Sequence, residues 1–319
     1  MDSEQPFHEG ELSIQKRLGV DERVAAFAPR LIRDHLTEEH QAFFPMLPTL
    51  LVGSRDEQGA LWASMLHGEP GFIDTSDARR LGIGVLPLQA DPLSRALMPG
   101  KRLGFLGLQF ETRRRNRIAG RVEEAGRSGF SVAIDQTFGN CPKYIQTRAP
   151  VKLDVQPGPA HMSSQLAPAD TALIEQADTF FIASGIEGAD DDPRAGTDIS
   201  HRGGRPGFVQ VENNRLVWPD FVGNFLFNTL GNLAVDPRAG LLFIDFNSGD
   251  SLQLSGRAQV IWDADFQQGF PGAERFVAFT VEKALRIPAA LPLRWEFSQA
   301  SPFNARTGVW SELSGQDNS

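Results

Sequence analysis

One pattern occurs twice in this chain, and it limits what the chain can fold into more than any other feature. Ser64-Met65-Leu66-His67-Gly68-Glu69-Pro70-Gly71-Phe72-Ile73 returns 136 residues later as Ser200-His201-Arg202-Gly203-Gly204-Arg205-Pro206-Gly207-Phe208-Val209. Without a gap, the same shift pairs Arg79 with Arg215, Leu97 with Leu233, Arg102 with Arg238 and Gly104 with Gly240. It goes on to pair Leu106 with Leu242, Phe110 with Phe246 and Gly120-Arg121 with Gly256-Arg257. A match running from Ser64 to Arg121 is too long for a solenoid unit and predicts a doubled domain core. Function is expected where the copies differ. The second carries Arg202 and Arg205 where the first has Leu66 and Glu69.

Between and around the copies the texture predicts four regions: a helical segment over 1–47, a first β-domain over 48–148, a linker over 149–168 and a second β-domain over 169–319. In the first region Val24, Phe27, Leu31 and Ile32 recur at helical spacing, with Pro29 splitting or kinking the helix. Thr37 ahead of Glu38-Glu39 caps a further short helix that Pro45 stops. From Pro48 onward, short apolar runs broken by turn residues predict strands over 49–53, 60–66, 71–74, 81–86, 102–110, 116–123 and 130–134. A helix over 91–98 interrupts them, and Arg113-Arg114-Arg115 joins the two long strands. Proline, alanine, serine and glutamine dominate the linker. The second domain reads as a helix over 168–176, strands over 179–184, 207–211 and 216–218, a helix over 224–235, and strands over 241–246 and 251–262. Residues 274–286 fit a strand pair or a helix equally. The tail over 315–319 is polar and expected to be loose. Many short strands built twice predict a mainly β fold of paired antiparallel barrels or sandwiches.

A net charge of −9 argues against nucleic acid or an anionic membrane as partner. The single cysteine, Cys141, excludes an internal disulfide and fits a reducing compartment; without a histidine at a diagnostic spacing it reads as a small buried residue. No apolar run reaches the roughly 18 residues of a membrane span, and residues 1–5 do not begin a secretion signal. A soluble, cytoplasmic protein is expected. The Rossmann fingerprint, the P-loop and His-Glu-x-x-His are all missing, so neither their phosphate sites nor a zinc centre is expected. The acidic run Asp190-Asp191-Asp192 lacks the alternating oxygens of a hard-cation loop and reads as a solvated turn.

What remains is an anion site. Arg202 and Arg205 flank Gly203-Gly204 ahead of Pro206-Gly207; arginine forks match phosphate oxygens, and glycine lets the backbone approach closely. Gly223-Asn224 opens the predicted 224–235 helix, where free N–H groups favour an anion, and Asn228, Thr229 and Asn232 add neutral donors.

In order and spacing, these motifs resemble those of the pyridoxamine 5′-phosphate oxidase-related FMN-binding proteins, the split-barrel flavoproteins. The resemblance is carried by Arg205 with Phe208-Val209-Gln210-Val211, Asn224 to Thr229, Asp236-Pro237, Leu241-Leu242-Phe243 and Gly256-Arg257-Ala258. In the first half it is carried by Leu103 to Phe110 and by the run Arg115 to Glu123. It implies two tandem FMN-binding split β-barrels in one chain, acting as a pseudo-dimer with FMN between them. With Leu66 and Glu69 unsuited to phosphate, a single flavin is expected, held by Arg202, Arg205, Pro206, Gly207, Asn224, Asn228 and Thr229. From the first half the resemblance adds Arg114 and Arg115, at the place of the family's Arg-Gln pair, with simple solvation of that turn as the alternative. Gln136, Asn140 and Lys143 are further candidates for flavin or substrate contact, and His201 or Lys143 for polarising a substrate. The implied activity is that of an FMN-dependent oxidoreductase acting on a small molecule. Vitamin B6 oxidation is not expected, because the family's C-terminal substrate-binding segment is not found around Arg294 and Trp295. The alternatives are a non-catalytic flavin carrier, an electron-transfer partner of a flavin or ferredoxin reductase, and an all-β binding protein without its cofactor. Association of two chains into a homodimer stays open.

Overall fold

The computed structural model describes residues 6–189, 192–263 and 269–313. The expectations for residues 1–5, for Asp190-Asp191 and for residues 315–319 lie outside the described residues.

Three helices open the chain, α1 (Glu9–Arg17), α2 (Asp21–Leu31) and α3 (Glu38–Phe43). Pro29 sits inside α2, which is not split by it, and the Thr37 side chain caps α3 by accepting from the His40 N–H. The first barrel follows: β1 (Thr49–Arg55), β2 (Leu61–His67), β3 (Ile73–Asp74), β4 (Arg80–Ile83), α4 (Leu93–Ala96), β5 (Arg102–Gln109), β6 (Arg114–Ala125) and β7 (Phe130–Gly139). β8 (Thr147–Lys152), β9 (His161–Ser163) and α5 (Pro168–Gln176) lead into the second: β10 (Thr179–Ile186), β11 (Gly196–Gly203), β12 (Gln210–Glu212), β13 (Arg215–Phe221), α6 (Asn228–Val235), β14 (Arg238–Ile244), β15 (Ser251–Ile261) and β16 (Ala273–Ile287). Last come β17 (Leu293–Gln299), which pairs with β8, and α7 (Trp310–Leu313).

The first sheet runs β2-β1-β5-β6-β7-β4-β3 and the second β11-β10-β14-β15-β16-β13-β12, with β9 added beside β16. Strand for strand this is one order used twice, and the protein is two tandem split β-barrels. Register follows the same correspondence: Arg102 pairs with Arg121 as Arg238 pairs with Arg257. Cross-strand partners extend it beyond the ungapped match. Ser64 and Ser200 face Val52 and Ile182, and Gly120 and Gly256 face Ile134 and Val281. The loops before β11 and before β16 are longer than their counterparts, and this is why the repeat is visible in the sequence only from β2 to β6.

Side-chain alternation gives β1 and β10 two apolar faces each. Leu50 and Val52 fill the first barrel and Phe180 and Ile182 the second, whereas Leu51 and Phe181 join Leu106, Leu242 and Ile199 in a separate cluster between the barrels. One pair of repeated glycines, Gly104 and Gly240, sits at this interface. A Cβ on Gly104 would collide with the Thr197 carbonyl, and one on Gly240 with that of Leu61; Thr197 and Leu61 are themselves counterparts. The repeated pair Arg102 and Arg238 bridges the same interface. Arg102 donates to the carbonyls of Ala189 and Ala195 in the β10–β11 loop, and Arg238 to that of Gly59 in the β1–β2 loop.

Several sequence expectations need correcting: the segment read as a linker carries the end of β8 and all of β9, and the sequence reading has no strand at β17. β11 was not anticipated, because Asp198, Ser200 and Arg202 on one of its faces make it look polar. Residues 274–286 belong to one long strand, β16. The helix expected from 224 begins only at Asn228, since Phe225 and Phe227 lie in the left-handed region at φ 65° and 62°, which helical backbone does not allow.

Candidate functional site

The matching surfaces of the two barrels enclose two clefts related by the repeat, and they differ in chemistry. In the larger, β6 of the first barrel faces β11 and the start of α6 of the second. Arg115 and Arg117, two apart on β6, project into it together with Lys143, Ser200, His201, Arg202, Asp220, Asn224, Asn228 and Thr229. In the smaller, the counterparts are Ser251 for Arg115, Gln253 for Arg117, Leu66 for Arg202, Leu88 for Asn224 and Met65 for His201. Counting on from β7 and β16, Ile287 stands for Asn140, Ala290 for Lys143 and Leu291 for Tyr144. Nearly every polar group of the first cleft is apolar or uncharged in the second. Space outside the protein atoms, mouth included, is about 770 Å³ in the first and 440 Å³ in the second.

Four cations meet in the larger cleft, and their partners differ. Arg117, 7 % exposed at its side chain, donates from Nη1 to both carboxylate oxygens of Asp198 (2.9 and 2.8 Å) and, at 3.3 Å, to Asn228 Oδ1, and from Nη2 to Ser200. Its charge is therefore met within the protein. Arg115 donates from Nε to the Cys141 carbonyl at 2.6 Å and forms no ion pair among the described residues. Arg202 stands 4.0 Å from Asp220, a carboxylate it shares with Arg275. Lys143 lies over the Phe303 ring at 5.5 Å. Burial, then repulsion from Arg117 and Arg202, lowers the Arg115 pKa; for Arg202 burial lowers it most, with Asp220 opposing. A bound anion would relieve this repulsion. Burial, then Arg115, Arg202 and Arg148, holds His201 well below the ordinary imidazole value, so it is neutral at pH 7. Its Nε2 is buried without a partner among the described residues. Such an orphan atom on a cleft wall is a group awaiting a hydrogen bond.

The remaining donors are mostly engaged. Thr229 Oγ1 and Ser200 Oγ share a 2.8 Å hydrogen bond, and Asn228 Nδ2 donates to Glu11 of α1. Asn224 donates to Asn140 Oδ1 at 2.8 Å across the barrel interface and accepts from the Leu226 N–H. Asn232 faces inward, between His8 and Ser184. Because α6 begins at Asn228, its free first-turn N–H groups belong to Asn228, Thr229 and Leu230, which line the cleft. Tyr144, Phe225 and Phe227 also line it, each with φ near 60°. Left-handed aromatic residues cost on the order of 1–3 kcal/mol each, and backbone strain of this kind gathers at binding sites.

The structure thus brings together Arg202, Asn224, Asn228, Thr229, Arg115, Asn140 and Lys143. Besides Asn232, five expected residues stand elsewhere. Arg205 turns from the cleft into a pair with Glu312 of α7 (2.6 and 3.1 Å) and donates to the Thr307 carbonyl. Pro206 and Gly207 form the turn beneath that contact, where the Trp310 N–H donates to the Gly207 carbonyl. Arg114, on the opposite face of β6 from Arg115, pairs with Glu39 at 3.1 Å. Gln136 donates to the Pro6 carbonyl. Arg117, Asp198, Tyr144 and Asp220 were not anticipated, although the period of two along β6 points from Arg115 to Arg117. The residues present fit a dianionic headgroup: two guanidiniums without full neutralisation, an ammonium, a helix N-terminus and an unpartnered imidazole nitrogen. Among the described residues no cluster of His, Cys, Asp and Glu could hold a metal, and no helix is long and apolar enough to cross a membrane.

No protein-family model and no curated protein matches the sequence. Solved structures do match it. A general stress protein 26-related protein of the pyridoxinephosphate oxidase family from Clostridium acetobutylicum shares 12% identity, covering 40% of this chain and 92% of its own, at a TM-score of 0.28. An FAD-binding protein from Mesorhizobium loti shares 13% over 40% of this chain and 98% of its own, at 0.26. The FAD-binding protein of Mycobacterium smegmatis gives the same four values. The solved structures that this chain is similar to thus include proteins of the pyridoxamine 5′-phosphate oxidase family and FAD-binding proteins, each matching about two-fifths of this chain.

Proposed function

We propose that the protein is an FMN-dependent oxidoreductase, descended from a doubled split barrel, that holds one flavin in the larger cleft. The observation that carries this reading is the asymmetry of two clefts sharing one framework. One gathers Arg115, Arg202 and Lys143 without full neutralisation; the other has Ser251, Leu66 and Ala290 in their places. Arg115, Arg202 and the first turn of α6 would hold the phosphate, and Asn140 with Asn224 would fix the polar edge of the ring. When bound, the flavin supplies hydride transfer; the chain supplies orientation, hydrogen bonds and exclusion of water. Neutral His201 offers a hydrogen bond without adding charge. The substrate is a small molecule, and a reductase is one source of electrons.

Calorimetric titration of the protein with FMN tests the reading. One equivalent per chain is expected, and Arg202→Ala should weaken binding by ~2–5 kcal/mol, the cost of removing one partner from a buried charged contact. Two equivalents, none, or unchanged affinity in the variant would reject it. Bleaching of the bound flavin by reduced nicotinamide without a second protein distinguishes the oxidoreductase from a flavin carrier.

A further inference from the structure

Beside the larger cleft runs an open groove, bounded by α2, the segment leading into α3, the start of β6 and the loop after β7. Among the described residues its charged lining is Arg30, Arg33, Arg113, Arg114, Arg115 and a single carboxylate, Glu39. On a chain of net charge −9, five arginines against one acid in one groove is a marked local reversal. The acid is engaged by Arg114, and Arg113 is satisfied by the carbonyls of Ile145 and Ala300 and by Gln299. Arg30 and Arg33, by contrast, form no ion pair and no side-chain hydrogen bond among the described residues, and both are exposed. Forked donors left open over a groove suit carboxylate or phosphate oxygens.

The groove and the cleft share Arg115, Asn140 and Asn224. The 2.8 Å hydrogen bond from Asn224 to Asn140 lies on their boundary, so a ligand in the groove abuts one in the cleft. Phe27 and Leu31 of α2 add apolar wall next to the open arginines.

We propose that this groove is a second ligand site, taking a small organic polyanion, a phosphorylated or multiply carboxylated molecule, and that this is the class of reaction partner presented to the cleft. Its role as a reaction partner rests on the flavin reading; the anion site itself does not. Arg30 and Arg33 hold the far anionic group, and Arg115 is shared with the occupant of the cleft.

The test uses the full chain, inorganic pyrophosphate and citrate as probes, and calorimetry with and without saturating FMN. Wild-type protein should bind the probes in the presence of FMN, with affinity falling as salt rises. Arg30→Gln/Arg33→Gln should weaken probe binding at least tenfold and change FMN affinity less than twofold, and Arg202→Ala should do the reverse. Both changed arginines are exposed, and an unaltered melting temperature checks that the fold is intact; if it is not, Arg33→Gln alone, with at least a threefold loss expected, takes the place of the double variant. Probe binding that is unchanged in the Arg30/Arg33 variant, or that FMN displaces completely, would overturn the proposal. If FMN fails to bind while the probes bind and depend on Arg30 and Arg33, the flavin reading fails and the groove stands.

Discussion

Arg202 and Arg205 are three residues apart in a glycine-rich turn, and the structure sends them to different tasks. Arg202 is on β11, beside Ser200 on the face that meets Arg117, and its one ion pair among the described residues is with Asp220 at 4.0 Å. Arg205 lies past the end of that strand, where the chain turns toward β12, and clasps Glu312. The two therefore separate on substitution. Arg205→Ala should leave FMN affinity within twofold in the titration that shows the Arg202→Ala loss. Its own effect is on how α7 docks, and because the pair is close to half-exposed and screened by solvent it should shift the midpoint of a urea melt little. Tenfold weaker flavin binding in Arg205→Ala would return that residue to the site. In the sequence the two arginines are equivalent, both basic and both beside glycine, and only the end of β11 tells them apart.

At the level of elements, the repeated residues build the framework and the unrepeated ones build the site. Gly104 on β5 and Gly240 on β14 let backbone meet backbone where the barrels touch, at two places related by the repeat. Substituting Ala for either glycine forces a methyl group against a carbonyl in the other barrel and should cost about 1–3 kcal/mol, the usual range for overpacking. A methyl group added at Gly223, on the cleft wall, would meet no atom within 4 Å, so Gly223→Ala should be near neutral in the same melt. Equal melting of the Gly104→Ala and Gly223→Ala variants would contradict this account of the interface. The strands were legible because Leu50 to Val52 or Leu241 to Phe243 are apolar on both faces, and the repeat was legible because Arg102, Gly104 and their counterparts are fixed by that interface. β11 and the true start of α6 were not, because the residues there answer to the cleft. Asp198 and Ser200 point at Arg117 instead of a core, and Phe225 and Phe227 adopt a backbone that no propensity predicts. Local sequence rules fail where tertiary contacts at a site outweigh them.

For the molecule as a whole, the clearest consequence is how stability depends on pH, because α1 carries a buried carboxyl onto α6. Glu11, 5 % exposed, accepts from the His8 N–H and from Asn228, with Arg117 and Asp198 nearby. Burial pushes its pKa up from 4.5 to about 8, with repulsion from Asp198 adding to the shift and the hydrogen bonds and Arg117 opposing it. Between those values the folded protein keeps a proton that the unfolded chain has lost. Protons bound are then more numerous in the folded state, and stability falls as pH rises through the window. The histidines act in the opposite sense. His8, His40, His67 and His201 all have pKa values lowered by burial, so their contribution rises with pH and is complete once the unfolded imidazole has lost its proton, near pH 6.5. Asp91, buried in the smaller cleft and raised by that burial as well, adds a decline of the same sign as Glu11, beginning near its ordinary value of 3.8. Stability should therefore peak near neutrality and decline toward pH 8, with a slope of up to ~1.4 kcal/mol per pH unit for one proton. Glu11→Gln removes the ionisable group while keeping its shape. Urea melts at pH 6.5 and 8.5 should show the wild type losing stability across that interval and the variant losing much less. Equal losses in the two would mean that Glu11 is already charged in the folded protein, and that α1 is held to α6 by an ion network instead of a neutral carboxyl.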